Sequence, residues 1–338
     1  MYSKLIKPLV ILMLAISVVA CGKQRPALVQ IDGNTMGTYY VIKYVAQDGL
    51  PSSEAIQAEI DAALELVNDQ MSTYRPHSEL SRFNQHQTAE PFAVSEATAK
   101  VVKEAIRVSD VTRGALDVTV GPLVNLWGFG PDAKPELIPT DEELAQRRSM
   151  TGIEKLAVNG TMLTKTIPEL YVDLSSIAKG YGVDVVAEYL ETLGVHNYLV
   201  EIGGELRIKG NNGEGVPWRI AIEKPVEEGR AVQEVITVGE NAIATSGDYR
   251  NYYERDGIRY SHSIDPQTGK PINHRLVSVT VIDPSSMTAD ALATGLMVAG
   301  PEDAMAIAEE YGLKVYLIKK TDDGFESYMS EGFKPFVQ

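Results

Sequence analysis

The feature that most narrows the fold is the punctuation of the second half of the chain. Short runs rich in β-branched and aromatic residues (198–202, 206–209, 218–222, 234–238, 252–261 and 277–282) are separated by Gly, Asn and Asp turns. The run 252–261 folds at Asp256-Gly257, and a last hairpin turns at Asp322-Asp323-Gly324. Earlier, 153–166 reads as a hairpin about Asn159-Gly160. Hairpins outnumber strand–helix–strand alternations. The expected fold is therefore α+β, with mixed, largely antiparallel sheets and helices packed on them.

The first half supplies most of the helices. Residues 29–46 read as two strands with a glycine kink at "TMGT", 35–38. Ser53 opens a helix in which Ile56, Ile60, Leu64, Val67 and Met71 recur at helical spacing. Residues 72–84 read as a polar connection, and a second helix runs from Ser95 to a stop at Gly114. The four glycines of 114–130 suit a loop or broken helix beside a ligand. A helix carrying Val183, Val186, Leu190 and Leu193 ends at Gly194, and two more cover 287–299 and 301–311. No linker interrupts 29–338, so one domain of two closely packed lobes sharing a site is expected.

Residues 1–20 have the layout of a secretory leader. Lys4 and Lys7 precede an apolar run from Leu9 to Ala20 that is too short to span a membrane as a mature helix. Val18-Val19-Ala20-Cys21 resembles a bacterial lipobox, in which the cysteine becomes the lipidated N-terminus. The alternative is an ordinary leader with an incidental cysteine. Residues 22–28 then form a tether. Cys21 is the only cysteine, which leaves the mature chain no internal disulfide, no thiolate nucleophile beyond the anchor and no cysteine metal site. Without Lys4 and Lys7, 29 basic residues face 46 acidic ones, and the formal charge moves from −15 to −17. Such a surface disfavours nucleic acid and anionic headgroups, so an anionic ligand would need positive charge from the site itself.

"YVDLSSIAKGYGVD", 171–184, runs from a strand end into a helix, yet carries Gly180 and Gly182 in its first turns. Each costs about 1 kcal/mol relative to Ala, which points to bare backbone held against something bulky. Asp173, Ser175 and Ser176 suit an anion-and-metal station at a helix start, or a plain N-cap. Lys179 and the two glycines favour the former, since a cap requires neither. "TADALATG", 288–295, puts Asp290 and Thr294 on one helical face, oxygen chemistry suited to Mg²⁺; a Thr288 cap is the competing reading. His262 precedes the turn composition "DPQTG" and is a candidate general base or a structural histidine. "EIGGELRIKG", 201–210, is not a dinucleotide fingerprint, and no P-loop, GxSxG or HExxH occurs.

Taken together, "TMGT", "MSTYRPHSELSRFN", "GALDVTVGPL", "DLSSIAKGYGVD", "VEIGGELRIKG", "ATSGDYRNYY", "SHSIDPQTGKP" and "TADALATGLMVAG" resemble, in order, the FAD:protein FMN transferase (ApbE) family. The resemblance runs from about residue 30 to the C-terminus. It implies cleavage of FAD and attachment of FMN, through a phosphodiester, to a threonine or serine of a target protein, with Mg²⁺ required and AMP released. Targets would resemble subunits of sodium-pumping NADH:quinone reductase and Rnf complexes bearing a [ST]-G-A-[ST] acceptor, and no nucleic acid is involved. By resemblance, Met36, Tyr74, Ala115, Leu116, Asp117, Asp173, Lys179 and, through its backbone, Ile264 contact FAD between the two lobes. Ser176, Asp290, Ala293 and Thr294 would surround the metal, with His262 or Asp290 as the base. Some members carry an acid at the position of Lys179 and an Asp at that of Ala293. The glycines would then let the helix start approach FAD. Two alternatives stand beside transfer, a Mg²⁺-dependent FAD pyrophosphatase and a non-catalytic FAD-binding lipoprotein. The expected location is the periplasm, lipid-anchored through Cys21 at the inner membrane, with the outer membrane open because Gly22 follows the cysteine.

Overall fold

Eight strands make one sheet whose spatial order follows chain order: β1 (Leu28–Thr35), β2 (Thr38–Val45), β3 (Tyr198–Ile202), β4 (Glu205–Lys209), β5 (Ala242–Gly247), β6 (Leu276–Asp283), β7 (Lys314–Lys320) and β8 (Phe325–Met329). Every neighbouring pair is antiparallel, as the α+β expectation requires. The structure, a computed structural model, describes residues 27–130, 138–225, 231–247, 252–255 and 258–337. The leader, Cys21 and the turn at Asp256-Gly257 lie outside the described residues.

Helices occupy the long connections: α1 (Ser53–Met71), α2 (Glu79–Gln85), α3 (Glu96–Val111), α4 (Gly121–Leu126), α5 (Asp141–Ser149) and α6 (Ala178–Thr192) lie between β2 and β3. The pair α7 (Ser286–Ala299) and α8 (Pro301–Glu310) joins β6 to β7. Strand alternation decides which face they cover. Tyr40, Ile42, Val200 and Ile202 point to one face, where Ile60 and Leu64 of α1 and Val183, Val186 and Leu190 of α6 bury them. On the same face, Ala244, Val281 and Val315 meet α3, α7 and α8. The opposite face buries Ile208, Ile243 and Tyr316 under a separate hairpin, Ile220–Glu223 with Val232–Ile236.

Several elements differ from the sequence reading. The kink at 35–38 is a two-residue hairpin turn, with Thr35 opposite Thr38 and positive φ at Met36 (50°) and Gly37 (72°). A strand pair with that turn needs left-handed backbone at both positions, and Met36 accepts it. The connection 72–84 contains α2, capped by Ser78 and held by buried Leu80 and Phe83. The second helix stops at Val111, three residues before the left-handed Gly114 (φ 81°). Neither α5, with its Thr140/Glu143 capping box, nor β5, spelled "AIATSG", was expected.

Candidate active site

The two glycines of α6 face protein. A Cβ on Gly180 would stand 2.3 Å from the Ser286 carbonyl oxygen and 2.8 Å from Asp290 Cβ, and one on Gly182 would stand 2.9 Å from Met36 Cε. Their smallness serves the close approach of α6 to α7 and to the β1–β2 turn. The expectation that they clear space for FAD is corrected accordingly.

At that contact each helix lends an aspartate to the other. Asp184 of α6 takes three donors at the start of α7, Ser285 Oγ (2.7 Å), Ser286 N–H (3.0 Å) and Met287 N–H (3.0 Å), and a fourth from β4, Arg207 Nη1 (3.0 Å). Among the described residues, Asp290 of α7 takes a single one, the Gly180 N–H at 3.0 Å. The Ala178 N–H is bonded to the Leu174 carbonyl. Two of the first amides of α6 are therefore committed, which removes most of the anion cradle expected at this helix start.

Lys179 projects from the same turn, and its Nζ meets Glu205 Oε1 at 2.6 Å. Glu205, the first residue of β4, is buried, and its Oε2 has no hydrogen-bond partner among the described residues. One cation thus serves two buried carboxylates. Burial, then the neighbouring Glu205 charge, pushes the Asp290 pKa up to about 8 against the pull of Lys179. Burial likewise raises Glu205, opposed by Lys179. Lys179 feels burial downward, but Asp290 and Glu205 outweigh it and hold its pKa above the ordinary value. A site that strains to keep its carboxylates ionised has room for more positive charge.

Oxygen donors stand close by. Thr294, one turn beyond Asp290, has its hydroxyl 3.2 Å from Ser246 Oγ on β5. The Ala293 side chain is buried in the core, so only its carbonyl is a candidate donor. Ser176 is half-buried in the bend before α6. Among the described residues no group of three His, Cys, Asp or Glu side chains gathers as for a transition metal. A single carboxylate with hydroxyl and carbonyl oxygens fits a hard cation such as Mg²⁺, which retains waters.

Lys179 also reaches a cavity of about 1580 Å³ whose lining includes Met36, Tyr74, Asp173 and Ser175, together with the inner face of α1. Four of the expected FAD contacts, Met36, Tyr74, Asp173 and Lys179, therefore line one cavity. Tyr74 is 70% exposed, a ring presented to solvent at the rim. Asp173 is fixed from behind: its N–H donates to the Val118 carbonyl (2.7 Å), and its Oδ1 accepts the Ser175 N–H (2.9 Å). Next to it, the Asn84 amide pairs with both backbone groups of Val172 at 2.8 Å, as another strand would. The buried Lys165 ammonium in turn meets the carbonyls of Phe83, Asn84 and Leu170. Burial pushes the Asp173 pKa up, against the Ser175 hydrogen bonds.

Ala115, Leu116 and Asp117 do not line this cavity. Leu116 is buried against Gly295 of α7, and Asp117 folds onto Thr119, accepting its N–H (2.7 Å) and hydroxyl (2.6 Å). A second group of aromatic rings carries the remaining candidates. Trp127 stacks on Tyr260, Tyr260 on Tyr253 and Tyr253 on Phe129, whose ring meets His262 edge-on at 6.4 Å. Ile264 is buried with Trp127 and Leu123. Trp127 Nε1 donates to the Gly269 carbonyl (2.8 Å), fixing the Asp265–Gly269 turn. The short strand Ile264–Asp265 passes within 8 Å of α7, Cα to Cα, bringing this group beside the Asp290 helix. Sequence reasoning missed Glu205, Asn84 and Lys165. The acid directly after Gly203-Gly204 was the one available signal.

The chain thus combines an eight-stranded antiparallel sheet with a large cavity whose wall holds Asp173, Ser175 and Lys179, the last reaching back to the Glu205–Asp290 charge group. The ApbE family profile matches residues 36–317, and the chain belongs to that family. It is 64% identical over 325 residues to the FAD:protein FMN transferase of Vibrio cholerae serotype O1, covering 96% of this chain and 97% of that one. The Haemophilus influenzae protein of the same name is 52% identical over 342 residues, with 99% of each chain covered. Among solved structures, the flavin transferase ApbE from Vibrio cholerae superposes with a TM-score of 0.88 at 64% identity, covering 92% of this chain and 100% of that one. Apo Pseudomonas stutzeri flavinyl transferase ApbE gives 0.87 at 40% identity, covering 93% and 98%.

Proposed function

We propose that this chain cleaves FAD and transfers its FMN half to a serine or threonine hydroxyl of a target flavoprotein, releasing AMP. The observation that carries this function is the position of Lys179, at once in the wall of the large cavity and inside the Glu205–Asp290 charge group. A dinucleotide held along the cavity by Met36, Tyr74 and Asp173 would meet the oxygen donors with its pyrophosphate. Asp290, Thr294, Ser176 and the Ala293 carbonyl would hold Mg²⁺, which supplies Lewis-acid help to phosphoryl transfer. Lys179 offsets the negative charge of the pyrophosphate in a chain of net charge −15. The acceptor oxygen bonds to the FMN phosphorus, the bridging P–O bond breaks, and AMP departs with its electron pair. The hydroxyl proton passes to an imidazole nitrogen of His262, held at the edge of Phe129. Acceptors bearing [ST]-G-A-[ST], such as subunits of sodium-pumping NADH:quinone reductase or Rnf complexes, are the proposed partners. The leader and Cys21 support a periplasmic, lipid-anchored location at the inner membrane.

The test supplies the protein with FAD, Mg²⁺ and an acceptor domain, then reads flavin fluorescence on the denatured acceptor band together with AMP. A labelled band that vanishes when the acceptor threonine becomes alanine is expected. AMP and free FMN without a band would mean hydrolysis instead, and bound FAD with neither product would leave only a binding protein. His262→Ala is expected to slow labelling by ~10²–10⁴. A change of only a few-fold would remove His262 as the base.

A further inference from the structure

Asp173 stands in the cavity wall on a backbone that has no ladder of its own. Residues 170–174 belong to neither strand nor helix, yet Leu170, Val172 and Leu174 are buried, so their peptide groups need partners from elsewhere. The Asn84 side chain supplies them at Val172, accepting its N–H and donating to its carbonyl, both at 2.8 Å. At the next residue, the Asp173 N–H donates to the Val118 carbonyl at 2.7 Å. Resting on the transferase reading above, in which FAD lies against Asp173, we infer that Asn84 is a positioning residue for that contact, with Lys165 as its support.

An asparagine amide carries an acceptor and a donor side by side without a charge, the pattern of a peptide group. Asn84 is buried and does not line the cavity, so it touches no ligand there and acts through the residue it holds. Its own helix is fixed at both ends. At the start of α2 the Ser78 and Ser81 hydroxyls donate to the Ser72 carbonyl, at 2.6 and 3.3 Å, which ties the helix to the loop carrying Tyr74. At its end, Lys165 of the strand Met162–Lys165 donates to the carbonyls of Phe83 (3.3 Å) and Asn84 (3.4 Å). A third bond, 3.2 Å to the Leu170 carbonyl, joins that helix end to the segment leading to Asp173. A buried ammonium group is costly, and burial pushes the Lys165 pKa down. What the lysine secures in return is the junction of α2 with 170–174, a fixed geometry behind a binding residue.

The experiment titrates FAD onto the full chain by flavin fluorescence, comparing Asn84→Ala, Asp173→Ala and the double variant. Asp173→Ala should raise the FAD Kd at least tenfold. An unchanged value would remove Asp173 from the FAD site, and this inference would fall with that reading. Given the rise, Asn84→Ala should raise the Kd at least fivefold by itself, the scale on which a misplaced contact costs. In the Asp173→Ala background it should add less than twofold, because residues that act through one contact are not additive. The FAD KM should rise by more than kcat falls. A variant that melts lower yet binds FAD like wild type would make Asn84 a structural tie, and full additivity would mean that it acts elsewhere; either result overturns the assignment. Should the alanine variant fail to fold, Asn84→Asp carries the same test. It has the same shape, keeps the acceptor for the Val172 N–H, loses the donor to the Val172 carbonyl, and should raise the Kd at least threefold. Lys165→Met, matched in length, should shift the Kd in the same direction, and an unchanged Kd there overturns the supporting role.

Discussion

Asp184 and Asp290 are both buried, both face the start of a neighbouring helix, and lie on opposite sides of the same α6–α7 contact. Yet Asp184 receives four donors, one of them Arg207, whereas Asp290 receives one N–H and shares a single lysine with Glu205. A carboxylate whose lone pairs are filled by fixed partners locks two elements together. One left under-satisfied beside another acid keeps affinity for a cation. The same residue type therefore acts as a clamp in one place and as proposed chemistry in the other, according to the donors the fold brings to it.

The comparison breaks most visibly with asparagine at each position. Asp290→Asn keeps an acceptor for Gly180 but loses its charge, and labelling should fall by about 10³, the scale of several kcal/mol of transition-state stabilisation. Its stability should move the other way. The folded pKa of Asp290, about 8, lies above the ordinary 3.8, so the folded state holds a proton that the unfolded chain gives up. That contribution is complete below about pH 4 and is lost as pH rises towards 8. Without added Mg²⁺, Tm should thus drop more between pH 5 and pH 8 in the wild type than in Asp290→Asn. A variant that melts lower than wild type at pH 8 would put Asp290 in the same class as Asp184.

Asp184→Asn should do the opposite. Arg207 keeps Glu188 and Glu191 nearby, so the loss is that of the charge on the Asp184 hydrogen bonds, about 1.5–3 kcal/mol in denaturant unfolding, while activity per folded molecule falls less than tenfold. Full loss of activity at unchanged stability would erase the distinction.

The glycines sharpen the same contact at smaller scale. Gly180→Ala drives a methyl into the Ser286 backbone, which cannot move aside. The overpacking cost of about 1–3 kcal/mol exceeds the roughly 1 kcal/mol of helix propensity regained. Gly182→Ala meets only the flexible end of Met36, and its denaturation midpoint should lie within about 1 kcal/mol of wild type. Equal costs at the two positions would mean that the α6–α7 approach is not what Gly180 serves.

Legibility followed the range of the interactions. The α1 stripe from Ile56 to Met71, the Gly194 stop and the 153–166 hairpin were readable because their signals lie within a few residues, although that hairpin turns at Gly160-Thr161, one residue later than Asn159-Gly160. The helix α2 was not, since it is seven residues long and depends on distant partners, with Glu79 bonded to Ser95 and Asn84 to Val172. α5 opens on a local signal, the capping box of Thr140 with Glu143. β5 has little β-branched content, and its identity as a strand comes from lying between β4 and β6. In the site, Met36, Tyr74, Asp173 and Lys179 converge on one cavity, whereas Glu205 entered only through the ion pair it makes.

By itself, the sequence determined the antiparallel hairpin architecture, the helix stripes and the family, because turn residues and hydrophobic period act locally and motif order is linear. Only the tertiary structure decided that Gly180 yields to Ser286, that Asp184 is saturated and Asp290 is not, and that Glu205 shares Lys179. Those outcomes depend on how many donors converge on a buried oxygen. That number is set by packing between residues from 23 to 110 positions apart.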